Sequence, residues 1–545
     1  MISDSKKISP ARPLRFLKFY RSQNFWALAF FFILSLVFHF SSPNIPDPDS
    51  FYHIKHAEIY RTEGITFGEF PWTQYSAIKT NASDIWYGFH ILLIPFSIFG
   101  GAIGIKLAGV FLTFLALSGL WFVFCRYNIK WPAFWPVLIF ISAPNIMNRF
   151  LMMRPHLLSL TLTVLFFSYL IRNKNQIKHT VSIRSYTHRI IIFTLSFLIS
   201  WIHLSLVWIP FLVFGVVFLT KWIVEKVWLW REIFIVLFGA MTGWLLRPNP
   251  MGSLKLAYIQ VIQLILEKQN EATLLFGREL FPLSSQTLFQ NFSAFMLLWF
   301  LAMGTGLWLW HSSKNQTPQF KTLAYSSLVL SIVFFFMTIL VARRAHDFWI
   351  PFGAIFIALI YTNFFNQQHP YKLENVRMFA MVILMLTSAF LAIYTPWRNS
   401  VSLEERAIPP DKFKEAALWL KENSQAGDIV FNVRWSDFPM LFYWNQKNYY
   451  IGGMDPIFQY AYDTKLYWRF HYLSADEVTK FTCPAPACTK EMLEDTYAVL
   501  KNDFKAKYVF LEKQRNPLVY YYLESTPNLY EKKIDTISEA VYEIR

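Results

Sequence analysis

Long apolar blocks alternate with short basic loops along this chain, and that alternation limits its fold more than any motif does. About 20 consecutive apolar residues cross a bilayer, and only helices or closed barrels can span one with their backbones satisfied. On that rule about eleven segments read as spans. They lie near 24–40, 105–124, 131–144, 155–171, 189–202, 205–220, 232–247, 291–310, 322–341, 347–365 and 377–395. Composition agrees: 54% of the 545 residues are hydrophobic and 19% are aromatic, above the apolar share usual in soluble domains. The net charge of +16 does not call for a nucleic-acid partner, because much of the excess sits in short loops, where Lys and Arg set topology.

Those loops orient the chain. Residues 1–23 carry Lys6, Lys7, Arg12, Arg15, Lys18 and Arg21 against Asp4, and the 172–189 loop carries five cations and no acid. Both are expected in the cytoplasm. An even number of crossings must separate them, so the apolar stretch 86–103 should lie in the interface or re-enter. Arg126 and Lys130, Lys221 to Arg231, Lys314 to Lys321 and Lys372 to Arg377 then also fall inside. The outer side receives the 41–104 loop, the 145–154 and 202–204 turns, the 248–290 loop, the Arg343 to Asp347 turn and everything after about 396.

The chain thus divides into a basic N-terminus (1–23), a transmembrane region (24–395) and a soluble extracytoplasmic α/β region (396–545). In the last, Asp411 is expected to cap a helix running to about Asn423, followed by strands at 428–433, 448–452, 507–511 and 539–544. Cys483 and Cys488 lie there in Cys-Pro-Ala-Pro-Ala-Cys, as a local disulfide or as two thiols, while Cys125 is expected to be inert. This describes an integral, multi-pass protein of a bacterial inner membrane, with its N-terminus in the cytoplasm.

The chemistry-bearing residues fall on the outer side. Pro46-Asp47-Pro48-Asp49 places two carboxylates at the end of the first span, with flanking prolines that favour extended backbone and a helix starting near Ser50. One carboxylate can take a proton from an acceptor hydroxyl; a second can hold a divalent cation against a phosphate. On the same side lie Arg149, Arg154, His156, His203, Arg247, Arg343, Arg344 and His346. Cations there run against the positive-inside bias and suit a leaving phosphate. Among the outer acids Glu267, Glu271 and Glu279, the last is the strongest candidate. His53 and His56 lack further partners in sequence for a shared metal and read as interface residues, with His53 kept as a possible site residue.

The arrangement resembles the GT-C superfamily of membrane glycosyltransferases: oligosaccharyltransferase catalytic subunits, protein O-mannosyltransferases and bacterial lipid-sugar transferases. The likeness rests on the run Asp49-Ser50-Phe51-Tyr52-His53 after Asp47, on Met153-Arg154-Pro155-His156, and on the Arg343-Arg344 turn. It implies a polytopic helical fold with an outer C-terminal domain and transfer of a sugar from a polyprenyl-phosphate-linked donor. It makes Asp47 or Asp49 the catalytic base, gives the donor phosphate to Arg149, Arg154, His156, Arg343 and Arg344, and keeps His53, His203 and Glu279 as additional candidates. A divalent cation such as Mg2+ or Mn2+ is the one cofactor this chemistry admits. The partners are the lipid-linked donor, membrane lipids and an acceptor that is a glycan, a lipid or a protein. Two departures matter. Oligosaccharyltransferases carry an acid in the second outer loop, where this chain has Asn145 and Asn148, which favours a base role for the pair. In place of their Trp-Trp-Asp-Tyr-Gly motif stands Trp435-Ser436-Asp437-Phe438-Pro439. The rival readings are en bloc transfer to protein, as in oligosaccharyltransferases, and a flippase without transferase chemistry.

Overall fold

The computed structural model describes residues 23–171, 183–268, 274–312, 316–366, 374–478 and 495–545. The basic N-terminus, Glu271 and the Cys483/Cys488 pair lie outside them. The described residues are mostly helical (72%). Seven described helices are long and apolar enough to cross a membrane: Gln23–Phe40, Gly101–Arg126, Leu204–Glu225, Ser285–Trp310, Pro318–Leu340, Arg343–Asn366 and Glu374–Arg406. Pro144–Leu151 and His156–Ile171, bent by 105°, would make an eighth as a broken span.

This is fewer than the eleven expected, for local reasons. The 131–144 stretch forms only the seven-residue helix Phe134–Phe140 before the chain turns into Pro144–Leu151. Trp230–Leu245 has 16 residues. Tyr87–Ser97, inside the 86–103 stretch, has 11, about 16 Å of helix, which is too short to span.

Burial sorts the spans. The apolar window of Arg343–Asn366 is 89% buried, so this helix is the axis of the bundle. Gln23–Phe40 (17%) and Glu374–Arg406 (11%) lie at the periphery, with Phe30, Phe32, Met378 and Phe390 exposed as lipid-facing residues would be. Polar contacts gather at the helix ends. At one end Lys130 N donates to Thr362 Oγ1 (3.1 Å) and Thr322 Oγ1 donates to Glu225 (2.7 Å). Asp47, Arg149, Arg154, Glu279 and Asp347 meet at the other.

The Glu374–Arg406 helix does not stop at 395 as expected. Its 33 residues make about 50 Å of helix, more than the ~30 Å hydrocarbon core. The polar extension carries Ser402 and Arg406 to the end where the acids lie.

Beyond it the chain builds a five-stranded sheet: β1 Ile429–Asn432, β2 Tyr449–Tyr450, β3 Tyr508–Glu512, β4 Tyr530–Asp535 and β5 Glu539–Ile544, in the order β2-β1-β3-β5-β4. β1 pairs in parallel with β2 and β3, and β5 runs antiparallel to β3 and β4. Four strands fall where the apolar runs predict. β4, Tyr-Glu-Lys-Lys-Ile-Asp, was not expected: it is a charged edge strand, mostly half-buried or exposed, and shows no apolar alternation. The helix after Pro410 starts at Lys414, with Phe413 at the N-cap position in the left-handed region (φ +61°), so Asp411 is not its cap.

Two main-chain junctions tie the 41–104 loop to this region. Ile45 and Ile408 exchange N–H···O bonds of 2.8 Å in each direction. Tyr450 N donates to Trp72 O (2.7 Å), and Gln74 N donates to Tyr450 O (2.8 Å), extending the β2 edge. Within the loop, the Tyr87–Ser97 helix packs so closely on Trp201 that a Cβ on Gly88 would come within 2.4 Å of the indole and 2.9 Å of the Trp201 carbonyl. Gly88→Ala is therefore expected to destabilise the protein by about 1–3 kcal/mol through overpacking. Thermal unfolding in detergent checks this, and an unchanged Tm would contradict the packing.

Candidate functional site

The acid pair sits where Gln23–Phe40 gives way to the Asp49–Glu63 helix. The prolines do not keep both acids in extended backbone. Pro48 has α-region dihedrals (φ −62°, ψ −37°), and Asp49 is the first residue of the helix. The two carboxylates differ. Asp47 is 1% exposed and takes Arg154 in two contacts, one of 2.7 Å from Nε and a shorter one from Nη2. Asp49 is 17% exposed and meets Arg154 Nη2 once, at 2.9 Å.

Arg154 lies in the break between Pro144–Leu151 and His156–Ile171, where neither helix constrains its backbone. Its third carboxylate is Glu279, 2.9 Å from Nη1. Glu279 also accepts from Arg149 Nη1 (2.8 Å), and Arg149 reaches on to Asp347 with Nη2 at 2.7 Å and Nε at 3.1 Å. Asp47, Asp49, Arg154, Glu279, Arg149 and Asp347 thus form one continuous charge-assisted network drawn from four separate stretches of chain.

The network divides the titration of its members. Burial pushes the Asp49 carboxyl up to about 7; Arg154 opposes the rise, and the Asp47, Glu279 and Asp455 carboxylates add to it. For Glu279 burial also favours the neutral acid, but Arg154, Arg149 and Arg344 outweigh it and hold the carboxyl well below its usual range. A carboxylate poised near neutrality beside Glu279, held as an anion, is the pattern of a proton acceptor next to a charge-holding neighbour.

Two cavities flank the network. The first, about 320 Å³, exposes Asp47, Asp49, Arg154 and Glu279, and is closed on the far side by Arg406, Trp435 and Asp455. Asn148 also lines it, with an Oδ1 that is buried without a hydrogen-bond partner. The second, about 140 Å³, is lined by Arg149, His156, His203, Lys268 and Arg344, by the Asp347 carboxylate, and by Trp208, Phe334, Met337 and Phe348. Arg149 lines this second cavity and pairs with Glu279, which lines the first; Leu280 lines both. A π-helical turn at Ile259–Gln263 precedes Lys268, a local irregularity frequent at functional sites.

Most of the expected site residues are therefore brought together. Asp47, Asp49, Arg149, Arg154 and Glu279 form the network, and His156, His203 and Arg344 line the adjoining cavity. Arg343 is not among the residues lining either cavity; its main-chain N donates to Phe281 O (2.8 Å). His53 and His56 are 2% and 6% exposed, buried within the 41–104 loop rather than interfacial. Asp347, Lys268, Asp455 and Arg406 were missed. Asp347 could have been found as an ionisable residue opening a span, and Asp455 from its Gly-Gly-Met-Asp-Pro turn. Lys268 carries no signal beyond its charge. Burial and Arg344 push its ammonium down to about 8.

A divalent cation held by the acid pair does not fit these residues. The Arg154 guanidinium already contacts Asp47, Asp49 and Glu279 together, so the positive charge at that point belongs to the protein.

The fold is shared with two groups of solved structures. Among solved structures, the archaeal oligosaccharyltransferase AglB from Archaeoglobus fulgidus, in complex with an inhibitory peptide and a dolichol-phosphate, superposes with a TM-score of 0.61 at 11% identity, covering 94% of this chain and 73% of that one. ArnT from Cupriavidus metallidurans bound to undecaprenyl phosphate gives 0.54 at 12% identity, over 96% of this chain and 98% of that one. AglB has also been solved with Zn and sulfate (TM-score 0.56, 11% identity, 95% and 73% covered). No protein-family model and no curated protein sequence matches the chain.

Arg154→Met leaves three carboxylates without their shared cation, and breaking such a pair is expected to cost about 3–5 kcal/mol. Combining it with Asp47→Asn should recover part of the loss. A double-mutant cycle on thermal stability measures the coupling, and strictly additive losses would contradict the network.

Proposed function

We propose that this protein is a membrane glycosyltransferase that moves a sugar from a polyprenyl-phosphate-linked donor to an acceptor nucleophile at the extracytoplasmic interface. The observation that carries this reading is the adjacency of two unlike cavities across one ion-pair network: one cationic and apolar-walled, the other rich in carboxylates. A lipid phosphate needs the first, and proton removal from an acceptor needs the second. The structural neighbours solved with dolichol-phosphate and undecaprenyl phosphate support the same donor class.

In this reading the prenyl chain lies against Phe334, Met337 and Phe348, and the phosphate meets Arg344, Lys268 and His203. Negative charge builds on the phosphate oxygen as its bond to the anomeric carbon breaks, and fixed cations there stabilise the transition state more than the ground state. The acceptor enters beside Asp49. Its proton passes to the Asp49 carboxylate as its nucleophilic atom bonds to the anomeric carbon, and the lipid phosphate leaves. Asp47 holds Arg154, which sets Asp49 and Glu279 in place. Asp49 is the better base of the pair because it makes one contact to Arg154 where Asp47 makes two. The N-terminus is cytoplasmic and the β-sheet region extracytoplasmic, with the chain leaving the bilayer near residue 395.

Purified protein in detergent with a labelled polyprenyl-phosphate sugar tests this. Asp49→Asn is expected to lower kcat by ~10²-fold or more. Arg344→Met and Lys268→Met should weaken donor binding. Because the base acts deprotonated and its carboxyl is raised to about 7, kcat/KM should climb as pH rises towards 7 and level off above it. A rate already flat between pH 5 and 8 contradicts Asp49 as the base. Donor flux across proteoliposomes without any transferred product would instead favour a flippase.

A further inference from the structure

The first outer loop holds a second cluster of ligating groups that the transfer chemistry does not use. His56 comes from the Asp49–Glu63 helix, Asp84 from the turn before the Tyr87–Ser97 helix, and His90 from that helix. His56 Nε2, Asp84 Oδ2 and His90 Nδ1 all lie within 4.8 Å of one another. The His56–Asp84 and His90–Asp84 separations are 3.8 and 2.6 Å. They bracket the ~3.3 Å expected between two ligands of a tetrahedral centre with bonds of about 2.0 Å, and because the His56 and His90 rings stack at 4.3 Å with planes 11° apart, one ring must turn for both nitrogens to meet one ion.

Each of the three groups is also held from behind. His56 Nδ1 is 3.1 Å from the Tyr52 hydroxyl, His90 Nε2 is 2.8 Å from His53 Nδ1, and Asp84 Oδ1 accepts from the Trp86 main-chain N–H at 2.8 Å. That is how outer partners aim metal ligands: the remote atom is bonded and the near atom is directed at the ion. The Tyr60 hydroxyl donates to Asp84 Oδ2 (3.0 Å) and brings a second oxygen to the cluster. The cluster is shielded, with His90 0% and His56 6% exposed and the Asp84 side chain at 6%. Two neutral imidazoles and one carboxylate leave a single negative charge, which a dication compensates. Mixed nitrogen and oxygen donors suit zinc-type ions better than Mg2+ or Ca2+.

We propose that His56, Asp84 and His90 form a structural zinc-type site that fastens the two helices of the first outer loop. It is separate from the acid pair. His56 lies seven residues beyond Asp49, roughly 10 Å along the helix. Zinc there would fix the helix that presents Asp49 without touching the reacting atoms, and the inference does not depend on the transferase reading.

The test is the metal content of the full-length protein, purified in detergent after growth with added zinc. About one zinc per chain is expected, with a zinc-edge absorption spectrum showing two imidazole ligands. His56→Ala and His90→Ala should each lose the ion, while Asp47→Asn and Asp49→Asn keep it. Wild-type protein without stoichiometric zinc would overturn the proposal and leave a hydrogen-bonded network only. So would zinc lacking imidazole ligands, or zinc lost with the acid pair instead. Because the wild-type spectrum decides on its own, the outcome stands even if an alanine variant fails to fold.

Discussion

Arg154 is shared by three carboxylates, two from the loop after the first span and one from the loop before the Ser285–Ser312 helix. Every other feature of the site follows from that sharing. It neutralises acids that could not otherwise be packed together under partial burial. It leaves Asp49 with the weakest hold, so burial and neighbouring acids raise its carboxyl to about 7 while Glu279 stays an anion. It also fills with a side chain the position where the GT-C resemblance suggests a metal. Arg149 repeats the device one step further in, joining Glu279 to Asp347 on the most buried span.

Such a network needs rigid supports, because a shift of an ångström would separate its members. The supports are covalently distant. The Ile45–Ile408 bridge clamps the acid loop to the end of the long Glu374–Arg406 helix, and the Trp72–Tyr450 and Gln74–Tyr450 bonds clamp the same loop to the sheet edge. Tyr52 packs on Phe438 and Phe442, and Phe51 on Tyr443, so the helix led by Asp49 rests on the C-terminal region. The sheet region therefore forms one wall of the acid cavity through Trp435, Ser436 and Asp455. Asp437, from the stretch set against the acceptor-reading motif of oligosaccharyltransferases, does not line that cavity among the described residues; burial, supported by Glu512, pushes its carboxyl up to about 7.

The sequence grouped the charged residues at one end of the spans but did not show their pairing. Basic loops and apolar blocks collected Asp47, Arg149, Arg154, Glu279 and Arg344 on one face, because charge placement relative to a bilayer is a local property. That Arg154 would meet three acids at once could not be read, since it depends on a 105° break between the Pro144–Leu151 and His156–Ile171 helices. The 131–144 stretch likewise reads as a span because its apolar content is high, but its helix is interrupted after Phe140. His56 looked like an interface residue because its partners, Asp84 and His90, lie 28 and 34 positions away. Strand β4 escaped because its charged edge carries no apolar period.

The central claim is a division of labour: cations of the apolar-walled cavity take the donor phosphate while Arg154 stays with the acids. A cryo-electron microscopy structure with bound polyprenyl phosphate tests it most directly. The account predicts phosphate density within hydrogen-bonding distance of Arg344 and Lys268, with Arg154 still bridging Asp47, Asp49 and Glu279. Phosphate seated between Asp47 and Asp49 around a divalent ion, with Arg154 displaced, would contradict it.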